Sequence, residues 1–182
     1  ATSDGYLLVD ENSGIFELEQ LRGKTFCLTD PESTTGYLMP RHYLRTQGHD
    51  PDGFMDTVHW SGGHLQAMRD LLAGLCDAAA TYSGAYFSGH AHGLPSGRLR
   101  ILAITGRSPQ NIVVAGPAAS AELRDRVRQI LLDFDPMRET GSARVGVTLR
   151  LSGYAAADQA KLEDLRALVR RELQANPPSP AP

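Results

Sequence analysis

The chain has 182 residues, 41% of them hydrophobic and 21% charged, and a formal net charge of −3 at pH 7. This length suits one α/β core or one lobe of a hinged pair, and the composition excludes a disordered or collagen-like chain. Because no run of Lys and Arg is interleaved with aromatic residues, the charge pattern of a nucleic-acid-binding protein is missing, and nucleic acid is not an expected partner.

Hydrophobic patterning predicts alternating strands and helices in the first half of the chain. In chain order these are a strand at 6–10, a short helix or turn at 15–21, a strand at 24–29, a helix beginning near residue 33 that Pro40 kinks or shortens, a strand at 57–60, a helix with an apolar face of Leu65, Met68, Leu72 and Leu75, and a strand at 77–82.

The second half begins with a loop at 84–97 that is rich in Gly, Ser and His. After it we predict strands at 99–105 and 111–115, a helix with Leu123, Val127, Ile130 and Leu131 on one face, a helix with Leu162, Leu165, Val169 and Leu173 on one face, and a Pro-rich tail that is expected to be disordered. Repeated alternation of this kind predicts an α/β fold: a three-layer lobe with a mostly parallel sheet and helices on both faces. Ligands of such sheets bind at the carboxyl ends of the strands.

Neither a membrane span nor a disulfide is expected from the sequence. No segment approaches the ~18 apolar residues of a span, and the N-terminus lacks the basic region of a signal peptide. The two cysteines, Cys27 and Cys76, each lie in an apolar run. This setting favours two buried thiols over a disulfide.

The segment DPESTTG at 30–36 follows a predicted strand and opens a helix. The first backbone N–H groups of a helix have no partner within it, so a helix start can bind an oxyanion, and hydroxyls can donate to the same oxygens. One Ser or Thr here would be an ordinary N-cap. Ser33, Thr34 and Thr35 followed by Gly36 exceed that need, which leaves the cap and the anion site as alternatives.

The next strand-to-helix junction, HWSGGH at 59–64, repeats the arrangement with His64 at the first helical position. In a parallel sheet both junctions open on the same edge, so His64 is expected beside Ser33. Other candidates are weaker. His90 and His92 lack a clear third metal ligand, and Ser33 with His64 lacks both a nucleophile elbow and an orienting acid, so we expect no metal, no cofactor and no enzyme activity.

These motifs, together with LRGKTFCLTDPESTTGYLMPRHYL, GLCDAAATYSGAY and LRILAITGRSPQNIVVAG, resemble the phosphate/phosphite/phosphonate-binding family of ABC-transporter periplasmic proteins. The resemblance covers nearly the whole chain. It implies a non-enzymatic solute-binding component, placed outside the cytoplasm, that binds a small tetrahedral oxyanion and works with an ABC permease. It also implies that Ser33, Thr34, Thr35 and His64 grip the oxyanion, with further candidates at Gly36, Ser61, Tyr82, Ser83 and Asn111.

Two departures from that family shape the expectation. Aminophosphonate binders use carboxylates for the amine at positions held here by Gly84 and Asn111, which favours phosphate, phosphite or a small alkylphosphonate. Family members also precede YLLVDENSGI with a first lobe that this sequence does not contain. The resemblance therefore implies one lobe over 1–176, with a crossover strand at 6–10, a ligand-binding part at 18–115 and C-terminal helices at 118–175, then a disordered tail at 177–182.

The second departure leaves an alternative function open. The chain could be a sensing or interaction domain of a larger membrane-linked receptor or kinase, with weak or lost ligand binding. An exposed sheet edge or apolar face would also be a reason to form a homodimer. A third alternative, turnover of a phosphate ester, is disfavoured by the missing catalytic acid.

Overall fold

The computed structural model describes residues 2–109, 112–135, 138 and 153–175. The chain divides into two compact units, and residues 2–109 and 163–175 belong to the larger one. The remaining described residues belong to the smaller unit. The predicted tail at 177–182 and the candidate Asn111 lie outside the described residues.

The larger unit is built on one five-stranded sheet. Its strands are β1 (Thr2–Asp10), β2 (Lys24–Leu28), β3 (Met55–Trp60), β4 (Ala78–Tyr82) and β5 (Leu99–Pro109), in the order β3-β2-β4-β1-β5. β2 is parallel to β3 and β4, whereas β1 runs antiparallel to both β4 and β5. Only β1 therefore opposes the common direction, and the mostly parallel α/β sheet expected from the sequence is confirmed.

The helices agree with most of the predicted ones. They are α1 (Met39–Thr46), α2 (Pro51–Phe54), α3 (His64–Leu72), α4 (Ser83–Ser88), α5 (Ala121–Asp133) and α6 (Gln159–Ala175). Short 3-10 turns occupy Glu11–Ser13, Leu18–Leu21, Gly89–His92 and Ser96–Arg98, and a π-helical turn, Thr34–Leu38, leads directly into α1.

Two predicted segments are wrong. The expected loop at 84–97 contains α4 and two 3-10 turns, because Ala85 is buried and the Tyr86 hydroxyl donates to the Leu99 carbonyl at 3.0 Å. The expected strand at 111–115 is absent from its described part, where residues 112–115 have no regular structure. Val114 is 80% exposed, so this apolar run has no covering layer in the described chain.

Side chains of successive strand residues form two apolar layers, one on each face of the sheet. Leu7, Phe26 and Leu28 pack on one face with residues of α1, whereas Leu8 and Cys27 pack on the other with residues of α3. This alternation follows from the two-residue period of a strand. It confirms that helices cover both faces, although Leu75, expected in the α3 face, is exposed because α3 ends at Leu72.

The cysteines correct the expectation of two free thiols. Cys27 on β2 and Cys76 before β4 form a disulfide, with Cα atoms 5.7 Å apart. Both are sheltered beneath α3, and the pairing of β2 with β4 brings them together. Strand pairing cannot be seen in cysteine spacing, which explains the wrong prediction. A buried disulfide is typical of proteins of oxidising compartments.

The buried guanidinium of Arg41 on α1 predicts acid sensitivity. Its side chain is 3% exposed and donates two 2.8 Å hydrogen bonds to Asp52, whose side chain is 59% exposed. The hydrogen bonds from Arg41 hold the pKa of Asp52 below its ordinary value of 3.8. A carboxyl with a depressed folded-state pKa stabilises the fold above its unfolded value, and the contribution is lost as the pH falls through the folded value.

We therefore expect urea unfolding at pH 3 to show a lower free energy than at pH 7, with this pair contributing roughly 1–2 kcal/mol because one partner is solvated. Asp52→Asn should lower stability at pH 7 and flatten the pH dependence. Asp56→Asn, an exposed carboxylate on β3, is the matched control and should change neither. Equal pH profiles for Asp52→Asn and the wild type would contradict this assignment.

Candidate functional site

The candidate site lies at the carboxyl ends of the three parallel strands β2, β3 and β4. Two backbone hydrogen bonds join the first two strand ends: Ser61 N–H donates to the Leu28 carbonyl, and Gly62 N–H to the Thr29 carbonyl, each at 2.8 Å. The Tyr37 and Trp60 rings, one on each junction, have centroids 5.3 Å apart. The two motifs expected to share an edge therefore do so.

Ser33 begins the helical segment at the end of β2. Its backbone is extended (φ −68°, ψ 120°), and its Oγ accepts from Gly36 N–H at 3.1 Å. This is the N-cap that the sequence analysis set against an anion site. The N–H groups of Thr34 and Thr35 have no hydrogen bond within the described chain, so the cap and a binding role are compatible. Thr34 and Thr35 are half-buried.

Gly36 is required by close packing against the end of β2. A Cβ added there would lie 2.0 Å from Thr29 Oγ1 and 2.8 Å from Thr29 Cβ. The Gly36 carbonyl accepts from Thr29 N–H at 3.3 Å. Since Pro40 has no N–H to donate to that carbonyl, the strand supplies the donor that the helix lacks. Pro40 lies in the first turn of α1, directly after the π-helical turn Thr34–Leu38.

His64 stands at the first position of α3, after a turn in which Gly62 has φ +73°. Its ring contacts Tyr82 edge-on at 4.7 Å, and its Nδ1 lies 3.4 Å from the buried Thr81 hydroxyl. Burial lowers the pKa of His64, while the charge of Asp30 opposes that shift. In the neutral tautomer whose Nδ1 accepts from Thr81, Nε2 carries the hydrogen and can donate to a ligand.

Asp30, the first residue of DPESTTG, is a residue for which no role was predicted from the sequence. Its charge opposes the lowering of the His64 pKa, and its Oδ1 accepts from Glu32 N–H at 3.0 Å. Asp before Pro at a strand end commonly forms such a turn, so the sequence predicts this local contact but not the position of Asp30 relative to His64. A carboxylate here adds negative charge beside the predicted anion site, so it bears on which ligand charge the site accepts.

The further candidates differ in their availability. Ser83 Oγ, at the start of α4, accepts a hydrogen bond from Asp4 N–H of β1 at 3.3 Å. This bond ties α4 to the sheet and already uses the Ser83 oxygen. Tyr82 contacts His64 and supports its ring. Ser61 lies near Asp70 of α3 and helps to hold the pKa of that carboxyl low, against the effect of burial.

Only one group of metal-ligating atoms is close enough for a shared ion in the described residues: Cys27, His59 and Asp70. Its sulfur is bonded to Cys76 and is buried among residues of α3. His90 and His92 lie in a 3-10 turn, where Nδ1 of His92 contacts the Ser88 carbonyl at 2.9 Å. No helix in the described chain is long and apolar enough to cross a membrane.

The fold and the edge define a class: an α/β substrate-binding lobe whose helix starts meet at the carboxyl ends of parallel strands. The profile of the family described as "ABC transporter, phosphonate, periplasmic substrate-binding protein" matches residues 1–162. The chain therefore belongs to the phosphonate-binding periplasmic proteins of ABC transporters. Members of this family are substrate-binding components that work with a permease, and their description places them outside the cytoplasm.

Solved structures support the fold. XAC2383 from Xanthomonas citri, bound to ATP, is similar with a TM-score of 0.74 and 21% identity over 95% of this chain and 68% of that one. PhnD1 from Prochlorococcus marinus, in complex with methylphosphonate, is similar with a TM-score of 0.72 and 14% identity over 93% of this chain and 66% of that one.

A binding protein of an ABC phosphonate transporter from Pseudomonas aeruginosa gives a TM-score of 0.69 and 20% identity over 96% of this chain and 59% of that one. The chain therefore spans about two thirds or less of the length of these three structures. No curated protein matches this chain.

Proposed function

We propose that this chain binds a small phosphonate or phosphate, without chemical turnover, at the edge formed by the helix start at Thr34–Leu38 and the start of α3. The observation that carries the proposal is the pair of hydrogen bonds that fixes the junction after β3 to the junction after β2. They support the proposal because they join the junction that leads to His64 to the junction that carries two N–H groups with no hydrogen bond in the described chain.

The binding groups are neutral dipoles rather than fixed cations. Thr34 and Thr35 supply N–H groups at the positive end of a helix, their hydroxyls can add donors, and His64 Nε2 donates from the neighbouring junction. Ser33 orders the turn through its cap and can donate its hydroxyl hydrogen. A tetrahedral oxyanion offers several oxygens to donors that converge from two sides, which suits this arrangement.

The expected affinity is low. Three hydrogen bonds to a charged group contribute roughly 1.5–3 kcal/mol each. Association costs about 4–15 kcal/mol, so the surplus ranges from nothing to about 5 kcal/mol, near the ~4 kcal/mol of a millimolar complex. Any further ligand-binding surface would tighten it. Transport together with a permease is part of the proposal, because it follows from the family rather than from the described site.

The ligand is proposed to lack an amine. Position 84 is glycine, at the start of α4, and offers no carboxylate to an ammonium group. We therefore propose phosphate, phosphite or a small alkylphosphonate, of which methylphosphonate is the most direct probe. An aminoalkylphosphonate should bind no more tightly than methylphosphonate.

Removal of a single backbone donor tests the site. Thr34→Pro deletes the N–H at the first helical position, where proline is tolerated, and the extended backbone of Ser33 suits a following proline. We expect methylphosphonate affinity, measured by amide chemical-shift titration, to fall roughly tenfold, the low end for a hydrogen bond to a charged group. Thr34→Ala reports the hydroxyl alone, and Thr46→Ala, at the far end of α1, should have no effect. Wild-type affinity in Thr34→Pro would refute the proposed donor.

The titration of His64 offers an independent test. Without ligand its pKa lies below 6.5 because of burial. A bound anion favours the imidazolium, so saturating methylphosphonate should raise that pKa. The chemical shift of the ring protons, recorded by NMR as a function of pH, measures the change. An unchanged His64 titration would remove this residue from the site.

A further inference from the structure

Beneath α3 the disulfide is surrounded by metal-ligating atoms that the oxyanion site does not use. Cys27 on β2 and His59 on β3 are neighbours in the parallel register, so both side chains lie on the same face of the sheet. Asp70 of α3 covers them, with its Oδ2 3.1 Å from His59 Nε2. The cysteine sulfur, a histidine nitrogen and a carboxylate oxygen all lie within 4.8 Å of one another.

The disulfide brings a fourth ligand to this group. Cys76 Sγ is bonded to Cys27 Sγ and so adjoins this group, although it is not among the atoms that all lie within 4.8 Å of one another. Reduction would give two thiolates beside one imidazole and one carboxylate, which is a four-ligand set of the kind that binds Zn²⁺ tetrahedrally. Donor atoms around tetrahedral zinc lie about 3.3–3.8 Å apart, given bond lengths of about 2.0–2.3 Å. The three ligand atoms within 4.8 Å of one another would have to approach this spacing, and Cys76 Sγ would have to join them.

We propose that the Cys27–Cys76 disulfide closes a latent zinc site, which Cys27, Cys76, His59 and Asp70 form when the disulfide is reduced. This inference goes beyond the proposed oxyanion binding and uses none of its donors. In the oxidised protein the two sulfurs are bonded to each other and cannot act as thiolate ligands. The disulfide joins β2 to the turn before β4, whereas the metal would join both of these to β3 and α3 as well.

The chemistry balances with an external dithiol as reductant. One thiolate of the dithiol attacks a sulfur of the disulfide, its second thiolate completes the exchange, and the protein gains two thiols as the dithiol is oxidised. Zn²⁺ then binds as both thiols release their protons. The side chain of His59 is 40% exposed, so it provides a path for the ion, whereas the side chain of Asp70 is 8% exposed.

Burial and hydrogen bonding prepare Asp70 to act as a ligand. Gln66 donates to its Oδ1 at 2.7 Å, which leaves Oδ2 facing His59. A carboxylate oriented in this way loses little freedom on binding a metal, and such outer contacts commonly tune metal affinity. The same contacts satisfy the carboxylate while the disulfide is intact, so the oxidised fold has no need of an ion.

Cobalt absorption tests the proposal on the whole chain. After reduction and removal of the dithiol without oxygen, one Co²⁺ per chain should produce thiolate-to-cobalt charge transfer and the intense ligand-field bands of a tetrahedral site, both of which Zn²⁺ abolishes. The oxidised protein should show neither. His59→Asn and Asp70→Asn should weaken binding roughly tenfold or more, by the scale known for altered metal sites.

His90→Ala with His92→Ala is the matched control and should bind like the reduced wild type. Cys27→Ser with Cys76→Ser lacks the disulfide as the reduced protein does, and it should not bind. Equal binding by the oxidised protein, or full affinity in both His59→Asn and Asp70→Asn, would overturn the proposal. Absence of tetrahedral cobalt bands in the folded, reduced wild type would overturn it as well.

Discussion

Replacing Gly36 with alanine is expected to cause the largest loss of stability of any single conservative substitution at the site. The new Cβ would lie 2.0 Å from Oγ1, 2.6 Å from Cγ2 and 2.8 Å from Cβ of Thr29, which is itself 1% exposed and cannot move aside. The backbone of the turn must shift, and its hydrogen bond to Thr29 N–H is lost. Overpacking of this kind costs roughly 3 kcal/mol.

Urea unfolding would measure this loss, and two further variants give it a control. Gly63→Ala has nothing within 4 Å of its added Cβ and should cost no more than roughly 1 kcal/mol, because alanine is a poorer N-cap of α3 than glycine. Thr29→Ala in the Gly36→Ala background removes the two closest atoms and should recover part of the loss. A Gly36→Ala protein as stable as the wild type would show that the turn is not packed as described.

The second large effect is expected from the disulfide. It joins residues separated by 49 positions. Closing a loop of that length lowers the entropy of the unfolded chain enough to stabilise the fold by about 4 kcal/mol, or about 2–4 kcal/mol in typical cases. Cys27→Ala with Cys76→Ala should lose this amount in guanidinium unfolding with a chelator present.

A reductant provides the control for that measurement. It should lower the stability of the wild type to that of the double variant and leave the double variant unchanged. If the reductant leaves wild-type unfolding unaltered, the two cysteines are not bonded in solution. The chelator matters because, under the latent-site proposal, zinc would restore stability to the reduced wild type but not to the double variant.

The sequence predicted the sheet well because its strands carry their own signals. Strands β2, β3 and β4 are short apolar runs bounded by turn residues, and their positions were predicted to within a few residues. The loop expected at 84–97 failed because α4 is stabilised by a contact that no local pattern records, between Tyr86 and β5. Tertiary packing therefore gives this segment helical structure, although its composition is typical of a loop.

The positions of the two motifs of the candidate site also follow from the sequence. Chain order and a parallel sheet suffice to bring Ser33 and His64 to one edge, since the carboxyl ends of parallel strands meet there. Sequence could not reveal that Thr29 fixes the glycine of the turn, or that Asp30 acts on His64, because both depend on distances across the fold. The disulfide was missed for the same reason. It depends on which strands pair, and spacing along the chain does not determine that.

A crystal structure of this chain grown with methylphosphonate would test the central claim most directly. The account predicts phosphonate oxygens within hydrogen-bond distance of the Thr34 and Thr35 N–H groups and of His64 Nε2, in a turn still capped by Ser33. A methylphosphonate bound elsewhere, with these three donors facing water at saturating ligand, would contradict it.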